Sequence, residues 1–184
     1  SLLTVTLDKW RPLAAHAGVP ELIVQQGYAF AYESATAFAA DALGREIRAA
    51  HGVQIEVLTG RDITAFEPAL SPRLTHLVVL PEQGHCPNPL RLSRALAARL
   101  RAGGASFVER TVKGFAFADD RVALVLTDGE AVETDTVVVA AGAHSAGLAA
   151  QLGNAVPLES ERGYHVMLES PNVAPRIPIA SGEG

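Results

Sequence analysis

The residues best suited to chemistry follow the run Thr136-Val137-Val138-Val139-Ala140-Ala141, which closes on Gly142-Ala143-His144-Ser145. A continuously apolar, β-branched run reads as a strand buried on both faces, the kind found in parallel sheets. A glycine at its carboxyl end, with a helix starting just beyond, exposes main-chain N–H groups and lets a ligand's phosphate or ring approach the backbone. The same residues also spell a relaxed nucleophile elbow, Ala143-His144-Ser145-Ala146-Gly147, with Ser145 as a hydrolase nucleophile. That chemistry needs an acid and then a histidine downstream, which leaves Glu159, Glu161 or Glu169 with His165. Glu161 and His165 lie too close together to come from separate strand ends. A third alternative is a plain strand-to-helix turn in a non-catalytic interaction module.

Other reactive side chains are scattered. The histidines, His16, His51, His76, His85, His144 and His165, show no metal-ligand spacing, so no metal site is expected. His85 stands beside the single cysteine, Cys86, in a Pro-rich loop. No Gly-x-Gly-x-x-Gly and no Walker loop occurs.

The chain that must position these residues has 184 residues, 15 Lys+Arg against 20 Asp+Glu, and a formal net charge of −5. With 48 % apolar and 19 % charged residues it is built to form a core, which excludes a largely disordered chain. Scattered arginines in a mildly acidic chain argue against nucleic-acid binding. One cysteine excludes an intrachain disulfide framework and a multi-cysteine zinc site. The longest apolar run, Thr136 to Ala143, is far shorter than the roughly 20 residues of a membrane-spanning helix. The start lacks the basic region of a signal peptide and an initiator Met, and the end stops just after an apolar stretch. A piece of a longer protein is the expectation.

Periodicity and punctuation predict a helix over Leu2 to Ala17, a strand over Gly27 to Tyr32, and a helix capped by Ser34 from Thr36 to Ala50. A strand over Val53 to Leu58, a helical turn after Thr59 or Asp62, and a strand over Leu77 to Leu80 come next. A loop then leads to Asn88-Pro89, cap and first helical position of a helix over Leu90 to Arg101 that closes on Gly103-Gly104. Beyond it lie strands over Ala105 to Glu109, Val112 to Ala118, Arg121 to Thr127 and Ala131 to Thr134, turning at Asp119-Asp120 and Asp128-Gly129. The run Thr136 to Ala141, a helix over Ala146 to Leu152 capped by Ser145, and a strand over Gly163 to Leu168 complete the order. This is α/β or α+β with a mixed, largely antiparallel sheet covered by helices.

Three segments, in order, resemble a known family. Pro81-Glu82-Gln83-Gly84-His85 with Asn88-Pro89, the adjoining helix and Gly-Gly-Ala-Ser-Phe resembles a passage of FAD-dependent oxidoreductases of the D-amino-acid dehydrogenase, glycine oxidase and sarcosine oxidase type. Val137 to Ser145 resembles their "VVVAAGAWS" strand and turn. Pro157-Leu158-Glu159-Ser160-Glu161-Arg162-Gly163-Tyr164-His165 resembles their "P-L-x-P-x-R-G-Y" passage. The resemblance covers Pro81 to Met167 well and the first eighty residues loosely. His144 stands where Trp is common, Asn88 where Asp is common, and the glycine-rich dinucleotide fingerprint is absent.

The resemblance implies a substrate domain plus the last strand and helix of a Rossmann-like FAD domain. It places 1–80 in the substrate domain, 81–152 with its β-meander in the FAD domain, and 153–184 back in the substrate domain. It implies cofactor-binding roles for Val112, near the adenine end, and for Ala140, Ala141 and Gly142. It offers His85, Tyr164 and His165 as substrate-side candidates and assigns no catalytic residue. The implied reaction oxidises the C–N bond of a D-amino acid or related amine by hydride transfer to flavin, with oxygen or a quinone as electron acceptor. FAD is expected in the full-length parent and not in this stretch alone, which is expected to be inactive. The cytoplasm is the expected location, with peripheral membrane association where electrons pass to a quinone.

Overall fold

A computed structural model describes residues 5–119 and 121–182. The chain divides into two units, 1–105 with 168–184, and 106–167.

In the first unit the period-two pattern of Tyr28-Ala29-Phe30-Ala31-Tyr32 decides the architecture. Strand β2 (Tyr28–Tyr32) pairs antiparallel with β4 (His76–Leu80), which pairs antiparallel with β3 (Glu56–Thr59). Strand β9 (Ile179–Ser181) adds parallel to β2, giving the order β3-β4-β2-β9. Ala29 opposite Val79 and Ala31 opposite Leu77 face one side, where Ile63 and Phe66 of α4 (Arg61–Phe66) and Ile177 pack on them. Phe30 and Tyr32, with Val78 and Leu80, face the other side against Ala37, Phe38, Val53 and Ile55. Small residues on one face and large ones on the other let cover pack closely on both. Full burial of a side chain such as Leu77 contributes roughly 1.5–3 kcal/mol.

Ser34 caps α2 (Ala35–Ala40) by accepting the Ala37 N–H at 3.1 Å. The single helix expected over Thr36 to Ala50 is two: α2 ends at Asp41, and α3 (Ala42–Ala50) begins beyond it. Asp41 turns its carboxylate to the buried Tyr32 hydroxyl at 2.7 Å and to Arg45 and Arg48, tertiary contacts that outweigh helix continuity. Gly60, at φ +53, rather than Thr59 or Asp62, stands at the N-cap of α4.

A second apolar cluster joins α1 (Thr6–His16) to α5 (Pro89–Ala102) through Ala14, Leu22 and Leu92. Asn88 caps α5 by accepting the Arg91 N–H at 2.9 Å, with Pro89 at the first helical position. The helix stops at Gly103, and Gly104 takes φ +93. The loop before it holds a short strand β5 (Gly84–His85), paired antiparallel with β1 (Val24–Gln25).

The second unit is the meander β6 (Val112–Ala118), β7 (Arg121–Thr127) and β8 (Val132–Glu133), followed by a tight turn at Gly142–His144 and α6 (Ser145–Gln151). In the β6–β7 turn Asp119 takes φ 48, and Asp120 lies outside the described residues. Helix α6 approaches β6 at Gly114, where the Gln151 amide donates to the Lys113 carbonyl at 3.3 Å.

Three expected strands are not formed. Ala105 to Glu109, Thr136 to Ala141 and Gly163 to Leu168 are irregular. A strand buried on both faces needs a ladder partner and a layer over each side. The described residues give Thr136 to Ala141 no such partner, and Val138 stays 84 % exposed.

Candidate functional site

Gly142 sits at φ +56, and a Cβ built there would meet nothing within 4 Å. Conformation rather than crowding therefore demands glycine, because left-handed backbone strains other L-residues. The turn is held by the Ala141 N–H donating to Ser145 Oγ at 3.0 Å and the His144 N–H donating to the Ala141 carbonyl at 3.1 Å. The Ser145 hydroxyl is thus a brace for the turn. No histidine or carboxylate hydrogen bonds it among the described residues, and His165 lies on exposed irregular chain.

Upstream of that turn lies a groove of about 330 Å³. Its walls are valines from three stretches of this unit: Val108 and Val112, then Val125 and Val132, then Val137 and Val138. Arg110, Thr134 and Thr136 also line it. Thr134 Oγ1 locks the crossing by donating to the Thr136 carbonyl at 2.8 Å and accepting its N–H at 3.2 Å. At the open end of the meander Asp128 accepts the Thr111 N–H at 3.1 Å. That bond, aided by the Thr111 hydroxyl and the charge of Lys113, holds the Asp128 carboxyl below its ordinary range.

Val112 and the Val137–Val138 pair share this groove. Ala140, Ala141 and Gly142 continue the chain beyond it, all exposed. Tyr164 and His165 are in the same unit but line no part of the groove, and Tyr164 is 90 % exposed. His85 belongs to the other unit. It pairs with Val24, and its Nδ1 is buried with no hydrogen-bond partner among the described residues. Cys86 packs half-buried in the α1–α5 cluster. Among the described residues no three His, Cys, Asp or Glu side chains gather as a metal site, and no helix is long and apolar enough to cross a membrane.

Two features of the first unit were not read from sequence. Tyr28, Phe30, Arg48, Val53, Leu80 and Gln83 line a recess of about 340 Å³ beside the sheet. The signal was the alternation of aromatics and alanines in β2, which puts Tyr28, Phe30 and Tyr32 on one face. The other feature is the polar cluster around Asp41. Arg45 lies 3.7 Å over the Phe38 ring, and His76 stacks on Phe38 with centroids 4.0 Å apart. Burial, then the bond to Asp41, pushes the Tyr32 hydroxyl above its ordinary pKa. An aspartate inside an alanine-rich helix was the available hint, since Asp competes with helical hydrogen bonding.

Comparison with known proteins gives these features a setting. Residues 1–182 match the family described as "FAD dependent oxidoreductase". A D-amino-acid oxidase of Bradyrhizobium diazoefficiens is 39 % identical over 173 residues, covering 94 % of this chain and 41 % of that protein. A D-amino acid dehydrogenase of Rhizobium rhizogenes is 32 % identical over 136 residues, covering 70 % of this chain and 32 % of that protein. The crystal structure of glycine oxidase from Bacillus cereus ATCC 14579 superposes with a TM-score of 0.69 at 23 % identity, over 79 % of this chain and 41 % of that one, and shows the shared fold. The chain spans 41 % or less of the length of each of these three proteins.

Proposed function

Because this chain belongs to the FAD dependent oxidoreductase family, we propose that it forms part of a flavoenzyme that oxidises the C–N bond of a D-amino acid or related amine. The names of the two bacterial relatives support that substrate class. The observation that carries the proposal is the valine groove, which joins Val112 to Val137 and Val138 ahead of the glycine turn. A slot of this size and apolarity suits one flat, weakly polar moiety such as the adenine end of FAD. Gly142, at φ +56 with open space where a Cβ would stand, leaves main chain bare for the cofactor to approach along Ala140 and Ala141. The residues present therefore fit FAD at its adenine side.

When bound, the cofactor supplies acceptance of a hydride from the substrate's α-carbon, leaving an imine that water hydrolyses. The chain's own part is binding and orientation. Val112 and its neighbours exclude water from one end of the cofactor, and Ser145 Oγ keeps the Gly142 turn in shape through the Ala141 N–H. His85 is assigned to the substrate side from the Pro81-Glu82-Gln83-Gly84-His85 motif. Tyr164 and His165 are assigned to the same side from the Arg162-Gly163-Tyr164-His165 motif. Oxygen or a quinone takes the electrons onward, the quinone case carrying peripheral membrane association.

The intact protein is expected to be yellow and to bleach on anaerobic addition of a D-amino acid. A well-folded, colourless intact protein would contradict the proposal.

A further inference from the structure

We propose that the buried carboxylate of Glu67 clasps the main chain at Arg176 and so sets the register in which β9 joins the sheet. Glu67 is 3 % exposed. A carboxylate that deep is costly unless hydrogen bonds satisfy it. Glu67 Oε1 accepts the Ala69 N–H at 3.2 Å, and Oε2 accepts the Arg176 N–H at 2.8 Å, a contact bridging 109 residues of chain. The Arg176 guanidinium is secondary, with Nε 3.7 Å from the carboxylate and a side chain 65 % exposed, a geometry that adds little.

The stretch just past Arg176 explains the need for a clasp. Ile177 enters the core beside Ala29, Ile63, Leu77 and Val79. The Pro178 carbonyl then accepts the Ala29 N–H at 3.0 Å, three parallel pairs come after it, and the Gly182 N–H donates to the Ala31 carbonyl at 2.8 Å. Three pairs are a short ladder in the less stable orientation, and a slip of one residue would turn Ile177 and Ile179 away from the core. Glu67 holds the chain one residue before Ile177, where such a slip would begin. The carboxylate binds main chain, so the clasp does not depend on which side chain stands at 176.

Trypsin reports this directly, because the Arg176–Ile177 bond is itself a tryptic site. In the intact protein, Glu67→Gln is expected to raise the cutting rate at that bond about tenfold or more, since one buried donor loses a charged acceptor. Cutting at Arg110, Lys113 and Arg121 in the other unit should not change. Arg176→Lys keeps both the main-chain donor and a tryptic site, and is expected to resist like the wild type. Where Glu67→Gln does not fold, Arg176→Pro deletes the donor, and faster amide exchange at Ala29 and Gly182, with the β6–β7 hairpin unchanged, is the expected result. The proposal is overturned by unchanged cutting or exchange, by acceleration shared across both units, or by Arg176→Lys opening the site as Glu67→Gln does.

Discussion

The first unit covers its central strands β2 and β4 on both faces, whereas the second leaves its most apolar stretches open. Leu77 and Val78 in β4 are completely buried, yet Val138, from an equally aliphatic run, is 84 % exposed. Both stretches carry the composition of a core strand. They differ in partners: β4 has a ladder on each edge and a layer on each face, and Thr136 to Ala141 has none among the described residues. Apolar sequence alone does not make a strand; neighbours do. The first unit uses its apolar side chains to hold itself together, and the second leaves Val108 and Val138 exposed.

That contrast is most easily broken by matched truncations. Leu77→Ala is expected to lower the stability of the first unit by about 2–5 kcal/mol through transfer and cavity terms. Val138→Ala should change the melting of the 184-residue chain by less than about 0.5 kcal/mol, as exposed substitutions do. Calorimetry on both variants checks the pair, and equal losses would end the contrast. An effect smaller than that of Leu77→Ala comes from Gly182→Ala, whose Cβ would overlap the buried Tyr32 ring. Overpacking there is expected to cost about 1–3 kcal/mol, read as a fall in the denaturant midpoint. Asn88→Ala removes the α5 cap and should cost about 1 kcal/mol.

The acid limb of stability sharpens the comparison further. Glu67 is held below the ordinary carboxylate range, chiefly by the Arg176 N–H and then by the Ala69 N–H. A depressed folded-state value means its contribution is present above the unfolded-state value and lost as pH falls through the folded one. Melting temperature recorded from neutral pH down past the carboxylate range is therefore expected to fall more steeply in the wild type than in Glu67→Gln. Parallel curves would contradict the assignment.

Local signals made much of the first unit legible. Ser34 and Asn88 marked helix starts, Gly103-Gly104 a helix end, and the alternation of β2 a two-faced strand. Asp41 broke one helix into two because its partners, Tyr32, Arg45 and Arg48, are gathered by folding and invisible as a pattern. The Glu67 clasp was hidden for the same reason, with its partner 109 residues away. In the second unit the hairpin turn at Asp128-Gly129 and the glycine at 142 were readable from residue type. The groove was not, because Val112 and Val138 meet only after the meander folds.

The adenine seat at Val112 is the claim on which the functional account turns. The measurement that tests it most directly compares FAD and FMN retention by the intact protein with and without Val112→Glu. A charge on the groove wall, where the proposed adenine end would cover it, is expected to weaken FAD retention about tenfold or more while leaving that of FMN, which lacks adenine, unchanged. Equal weakening of both flavins, or no change in either, would contradict it.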